Sequence, residues 1–325
     1  MLACAKDHSA TNFVQSRRSL LLAPKYWVLE DTDARSELLR FLAELRRGAH
    51  GGTPLLVDFS QVEKVFPAAT VLFKAELQCL LALPTSNLRF VPPKSNRILQ
   101  VFKQVGLSGD MGMKNEVRVT RHDVVHWEIS SGNEIDNNKI ADAMNCFALK
   151  VPEVELERLL GGAGEALGNS VEHAYEFRRG TPEQHSGETR WWAFFNFRDE
   201  KFFVTLCDLG CGIPVHLPLK HVKVGERIRS IFAKPGLRIP DTAYIRTAAE
   251  EGVTATEGAN RGKGLPEMLR ELAESGHGTL RVFSNSGLVR WDTGFSQAHA
   301  FNFDDSIFGT ILLWEVKLPK PKDTV

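Results

Sequence analysis

Three things are scarce in this chain of 325 residues. Cysteine is the first. The five present, Cys4, Cys79, Cys146, Cys207 and Cys211, are odd in number and scattered, so no disulfide framework is expected. Cys207 and Cys211 have no second Cys/His pair near them, which excludes a zinc site built on them. Both read as small residues flanking a glycine turn. Long apolar runs are the second scarcity. None approaches the roughly 20 residues that span a bilayer. Arg17, Arg18 and the short run Leu20 to Ala23 come too late for a secretory signal. No membrane partner is expected, and the setting is expected to be reducing and cytoplasmic. Charge of one sign is the third. With 40 basic and 40 acidic residues the formal net charge is zero. No nucleic acid partner is expected, because neutralising phosphates needs a basic face. Repeats and low-complexity tracts are missing too. What is present, 43% hydrophobic and 25% charged residues, is ordinary for a globular protein of about two domains.

The first half alternates strand and helix patterns. Tyr26 to Glu30 fits a strand. Leu38, Leu39, Phe41, Leu42 and Leu45 place a helix over Asp33 to Arg47, ended by Gly48. Leu55 to Phe59 is a short apolar run after Gly-Gly-Thr-Pro, the mark of a buried strand. Ala68 to Leu83 is an apolar helix stopped by Pro84. Leu88 to Val91 is a strand closed by Pro92-Pro93, and Ser95 to Val105 a helix before Gly106. This alternation predicts an α/β unit. Leu55 to Phe59, Val65-Phe-Pro-Ala-Ala-Thr70 and Leu88 to Leu107 resemble a STAS domain, the fold of anti-sigma factor antagonists. In regulatory members of that family the turn before the long helix carries a phosphorylatable serine. Here it reads Phe66-Pro67-Ala68-Ala69, and the nearby Thr70 is expected to pack or bond its own backbone.

The second half carries the chemistry. Val117 to Ile129 suggests a strand, Asn138 to Ala148 and Glu153 to Tyr175 helices. Arg190 to Arg198 and Phe202 to Asp208 are strands joined by the turn Asp199-Glu-Lys201, and Gly278 to Asn285 and Thr310 to Leu318 are later strands. Within the second helix, at about 100° per residue, Glu165, Asn169 and Glu172 share one side. Leu160, Ala163, Leu167, Val171 and Ala174 form the other. A carboxylate and an amide one turn apart can hold a metal and activate a nucleophile; an amphipathic surface helix has the same pattern.

Three further motifs follow in order. Cys207-Asp208-Leu-Gly210-Cys-Gly212-Ile213-Pro214 comes directly after an apolar strand. An Asp at the end of a buried strand selects a base that carries an amine donor, because a buried unpaired carboxylate is costly. Gly210 and Gly212 let backbone approach a flat ring. Gly258-Ala-Asn-Arg261-Gly262-Lys263-Gly264-Leu265-Pro266 offers free backbone N–H groups ahead of a helix start, a phosphate site to which Arg261 or Lys263 adds charge. Gly309-Thr310 opens the last strand. Simpler readings fail: the second motif is not a P-loop, since Gly264 replaces the Ser/Thr, and Gly210-Cys-Gly212 lacks the third glycine of a dinucleotide fingerprint.

The ordered set resembles the GHKL ATPase superfamily, which includes gyrase-type topoisomerases, chaperones, histidine kinases and anti-sigma serine kinases. The resemblance implies an α/β sandwich, with helices on a mixed, mostly antiparallel sheet. It implies that Asn169 is the Mg²⁺ ligand, Glu165 the general base of hydrolytic members, and Asp208 the reader of the adenine amine. Gly210, Gly212 and Ile213 would form the first glycine box, Arg261, Gly262, Lys263, Gly264 and Leu265 the phosphate loop, and Thr310 the adenine support. Asn260 stands where the first glycine of the phosphate loop is expected. His173 is expected to be structural rather than a proton carrier.

The expected layout is an extension over 1–24, a STAS-like domain over 25–112, an ATPase domain over 117–320 with its ATP lid at about 214–261, and a tail over 321–325. Ala248 to Thr254 would be the lid helix and turn. Three functions are compatible with ATP and Mg²⁺. One is slow hydrolysis or phosphotransfer to a protein partner, as in anti-sigma-type serine/threonine kinases, with a positioned base contributing about 10²–10⁴-fold. Another is a switch without turnover, and the last a histidine kinase, for which no phosphoacceptor hairpin precedes Glu153. With no transducer segment before Val325, a topoisomerase or mismatch-repair role is not expected. Partners would be ATP, a regulatory or STAS-binding protein, and a second copy in a homodimer.

Overall fold

The computed structural model describes residues 18–113, 117–125, 127–134, 136, 138–139, 141–142, 153–180, 189–251, 265–275, 278–294 and 297–317. For 153–156, 158–160, 165, 251 and 275 this covers the backbone alone. The chain is a mixed α/β protein. Its first part contains β1 (Ser19–Leu22), β2 (Tyr26–Trp27), α1 (Thr32–His50), β3 (Leu55–Asp58), β4 (Lys64–Val65), α2 (Pro67–Leu81), β5 (Leu88–Val91), α3 (Asn96–Gln104) and α4 (Leu107–Asp110). Strands β1, β3 and β5 form a parallel sheet in that order, and β2 and β4 a parallel two-residue ribbon.

Local chemistry accounts for these elements. The Asp31 carboxylate accepts from the Ala34 N–H at 2.9 Å and caps α1, whose last turn carries Arg47 and His50. Pro67 opens α2, where its missing N–H costs nothing. Burial along α2 runs from Ala68 to Leu77 without a break. A helix buried on all sides needs cover on all sides, and α2 finds it in its own unit and in the second sheet.

The segment expected as an extension contains a strand from residue 19 on. Ser19–Leu22 is a strand, paired with Leu55–Asp58. Its place follows from the strand it pairs with. The strand expected over 117–129 is displaced to β6 (Trp127–Gly132), because residues 122–125 form a turn closed by Val124 N–H to Arg121 O at 3.0 Å. Most of the helix expected over Asn138 to Ala148 lies outside the described residues.

The second part is built on seven strands: β6, β7 (Trp191–Arg198), β8 (Lys201–Asp208), β9 (Gly278–Ser284), β10 (Gly287–Asp292), β11 (His299–Asn302) and β12 (Thr310–Lys317). Their order is β11-β10-β9-β12-β8-β7-β6 and every neighbouring pair is antiparallel. The expectation of a mixed sheet is corrected. Two-residue turns at Asp199-Glu200 and Asn285-Ser286 force two of the pairings, and β12 inserts between β8 and β9 against both. Asp199 and Glu200 both have positive φ, 52° and 58°, the twist a tight hairpin needs.

Both faces of this sheet are covered. Trp191, Ala193 and Phe195 of β7 join Val204, Leu206 and Leu280 in a core under α5 (Glu153–Glu172), α8 (Asp241–Glu251) and α9 (Leu265–Ser275). Trp192 and Phe194 join Cys207, Phe283 and Ile311 in a core continuous with that of the first part, with α2 laid across β7, β8 and β12. This explains why β7 reads as one apolar run rather than an alternation. Two short helices, α6 (Ile213–Lys220) and α7 (Val222–Phe232), precede α8.

The seam under α2 is ionic at one point. Glu76, fully buried, accepts from Arg46 Nε and Nη2, both at 2.9 Å, and pairs with Arg179. Arg179 Nε donates to the Phe308 carbonyl at 2.7 Å. Arg35 of α1 donates to the Asn285 carbonyl at 3.0 Å. These bonds tie the first part to the two loops that precede β10 and β12. Thr70 is buried and its hydroxyl donates to the Phe66 carbonyl at 2.9 Å, the backbone bond expected of it.

Candidate functional site

A cavity of about 130 Å³ lies between the end of α5, the start of α6 and the start of α9. Of the residues singled out in the sequence, Asn169, Asp208, Gly212, Ile213, Leu265 and Thr310 line it together. Leu217 of α6 and Ala248 of α8 come from the segment expected to be a lid. Arg261, Gly262, Lys263 and Gly264 lie outside the described residues, as does Thr254, and the side chain of Glu165 does too. The Glu165 backbone belongs to α5, one turn before Asn169.

Sheet register assembles the floor. Thr310 is paired with Asp208 on one side and Ser284 on the other. The Ser284 hydroxyl lies 3.1 Å from that of Thr310 and accepts from the Ile213 N–H at 2.9 Å, which fixes the start of α6. Asp208 is buried and accepts from the Gly210 N–H at 2.9 Å. The Thr310 N–H also donates to it. The buried Ser170 hydroxyl reaches both this carboxylate and the Ala166 carbonyl, the latter at 3.0 Å. Burial outweighs these bonds and pushes the Asp208 carboxyl up to about 6. Arg179, held by Glu76, acts in the opposite direction through its charge.

The two glycines after β8 sit differently. Gly210 is absent from the cavity wall. A Cβ there would collide with the Ala174 backbone, and the next residue, Cys211, donates its N–H to the Ala174 carbonyl at 2.8 Å. The missing side chain lets the loop after β8 seat against the end of α5. Gly212 does line the cavity; its φ is +80° and a Cβ would lie 2.7 Å from Asn285 Oδ1. Tyr175 pins the same loop, accepting from the Leu209 N–H at 3.1 Å and donating to the Arg190 carbonyl at 2.5 Å. Burial raises its phenol well above the ordinary value. Cys207 and Cys211 are buried, with Cys211 pushed up to about 11, as suits small packing residues.

Sequence reasoning missed Ser170, Tyr175, Ser284 and Asn285. Each acts through a residue remote in sequence, so no local spacing marks it. His173 and His216 also line the cavity. His216 Nε2 lies 3.0 Å from Glu176 Oε2, and burial lowers its pKa against the pull of that carboxylate. His122 sits exposed in the turn over 122–125; His126 lies outside the described residues.

Chemically the cavity offers a buried acceptor on one wall, apolar side chains from α6 and α9, and the half-buried amide of Asn169. That amide has no side-chain partner among the described residues, and an amide oxygen suits a hard cation. The α9 N-terminus, with Leu265 and Pro266, forms another part of the wall, a place where backbone N–H groups favour an anion. Compared with known proteins, the chain matches no family model and no curated protein. No helix among the described residues is long and apolar enough to cross a membrane.

Proposed function

We propose that this protein binds ATP with Mg²⁺ in the cavity at the end of α5, and that it is a signalling or regulatory protein acting on a protein partner in the cytoplasm. The observation that carries the proposal is Asp208. A carboxylate buried at the end of a strand, in the wall of a cavity it shares with Asn169, Thr310 and the start of α9, suits a flat base with an exocyclic amine. In this reading Asp208 accepts from the adenine amine, Thr310 and Gly212 support the ring, and Ile213 packs on it. The start of α9, with the loop that carries Arg261, Gly262, Lys263 and Gly264, receives the phosphates. Asn169 holds Mg²⁺, which when bound neutralises phosphate charge. Glu165 is the base that takes a proton from water or from a partner's hydroxyl. The layered α/β architecture is compatible with the GHKL resemblance, and the parallel β1-β3-β5 unit with a STAS-like module.

A switch without turnover is the second reading, favoured by one feature. Glu76 and Arg179 join the helix α2 to the Asp208 neighbourhood, so nucleotide binding and the state of α2 share a contact. Incubation with γ-labelled ATP and Mg²⁺ separates the readings. Slow catalysis predicts released phosphate or labelled protein, abolished in Glu165→Ala with ATP binding retained. Phosphate release that persists in that variant removes Glu165 from the mechanism. Bound ATP with neither product, together with altered partner binding, selects the switch.

A further inference from the structure

One side-chain cluster at the edge of the cavity has no part in that reading. His173 is the first residue beyond α5, its N–H donating to the Asn169 carbonyl at 3.0 Å. A turn closed by Glu176 N–H to His173 O at 3.3 Å places Glu176 on the same side. His216 comes from α6, across the cavity mouth. One ligating atom from each of the three lies within 4.8 Å of the other two, and Glu176 Oε2 and His216 Nε2 are 3.0 Å apart. The two imidazole rings are 5.2 Å apart between centroids, and Phe177 packs 5.6 Å from the His216 ring.

We propose that His173, Glu176 and His216 form a binding site for a divalent transition metal of the zinc class, in addition to the nucleotide reading and not dependent on it. Two imidazoles and one carboxylate are a zinc or iron(II) donor set; magnesium and calcium take oxygens. Zinc bonds of about 2.0–2.1 Å put tetrahedral ligand atoms roughly 3.4 Å apart. The Glu176–His216 pair is already near that separation, and small ring rotations bring in His173. Both histidines line the cavity. The feature that opposes a metal is Lys220, whose Nζ lies 2.5 Å from Glu176 Oε1. It occupies the carboxylate oxygen that the histidine does not use.

Cobalt(II) titration of the full chain, followed by displacement with zinc, tests the proposal. The expected result is one equivalent of cobalt with visible d–d absorption and no thiolate charge-transfer band, displaced by zinc. His216→Ala and the conservative, exposed Glu176→Gln should each weaken binding roughly 100-fold or more. Lys220→Ala should bind at least as tightly as the parent. Circular dichroism of each variant establishes that it is folded. No binding by the parent chain, a thiolate band, or parent-like affinity in both folded variants would overturn the proposal. ATP binding is measured separately on the same proteins, so the failure of one reading is distinguished from the failure of the other.

Discussion

The two faces of the seven-stranded sheet are covered in opposite ways. Under α2, Trp192, Phe194, Cys207 and Ile311 belong to one core with the first part of the chain, and the buried Glu76 is paired with two arginines; a cavity of about 270 Å³ remains at the start of α2, beside Phe283 and Leu313. Under α5, α8 and α9 the cover stops short, and the gap at the ends of β8 and β12 is the cavity. The first face is built on large side chains and a buried, ion-paired carboxylate. The second keeps a buried carboxylate whose pKa is pushed up to about 6. The first face buries its carboxylate between two arginines, and the second holds its carboxylate against the pull of burial where a ligand is proposed to bind.

Four changes probe this contrast, from the largest expected effect to the smallest. Glu76→Ala strands Arg46 and Arg179 in the seam and should cost about 3–5 kcal/mol. Phe194→Ala, on the same face, should cost a similar ~3–5 kcal/mol through the cavity it opens. Urea unfolding measures both; losses under 1 kcal/mol would mean that the seam is not a shared core. Asp208→Asn should behave oppositely. The folded pKa is raised above the ordinary carboxylate value, so stability from this group is present at low pH and is lost as pH rises through about 6. At pH 7 the neutral amide should therefore leave the thermal midpoint unchanged or higher; a large fall would refute the assigned tension.

The same linkage sets a pH dependence of binding. A base amine needs the ionised Asp208, so affinity for ATP should fall by up to about tenfold per pH unit below pH 6 and stay level above it. Binding curves from pH 5 to 8 test this, and a flat profile would detach Asp208 from the ligand. Ser284→Ala is the mildest change. It removes the acceptor for the Ile213 N–H and the partner of Thr310, a loss of about 0.5–1.5 kcal/mol in stability. Full stability in that variant would show that the start of α6 is held otherwise.

Much of the architecture was legible in the sequence, and the omissions share a cause. The helix over Glu153 and beyond, the strands ending at Arg198 and Asp208, and the helix opening at Leu265-Pro266 follow from local pattern and turn chemistry, and the structure places them within a few residues. β1, β10 and β11 were not read as strands, and their places follow from the strands they pair with. The site divides the same way. Asn169, Asp208 and Thr310 could be singled out from their motifs, and they share one cavity. Ser170 and Ser284 gain their places from what lies opposite, through helix packing and strand register. The packing of Gly210 against Ala174 depends on which segment returns to lie there, and no local spacing marks it.

Titration calorimetry of the full chain with ATP in the presence of Mg²⁺, for the parent and for Asp208→Asn, tests the central claim most directly. The account predicts one ATP per parent chain and about 10- to 100-fold weaker binding by the folded variant, the loss of a hydrogen bond to a charged acceptor. No binding by the parent, or equal affinity in both proteins, would contradict it.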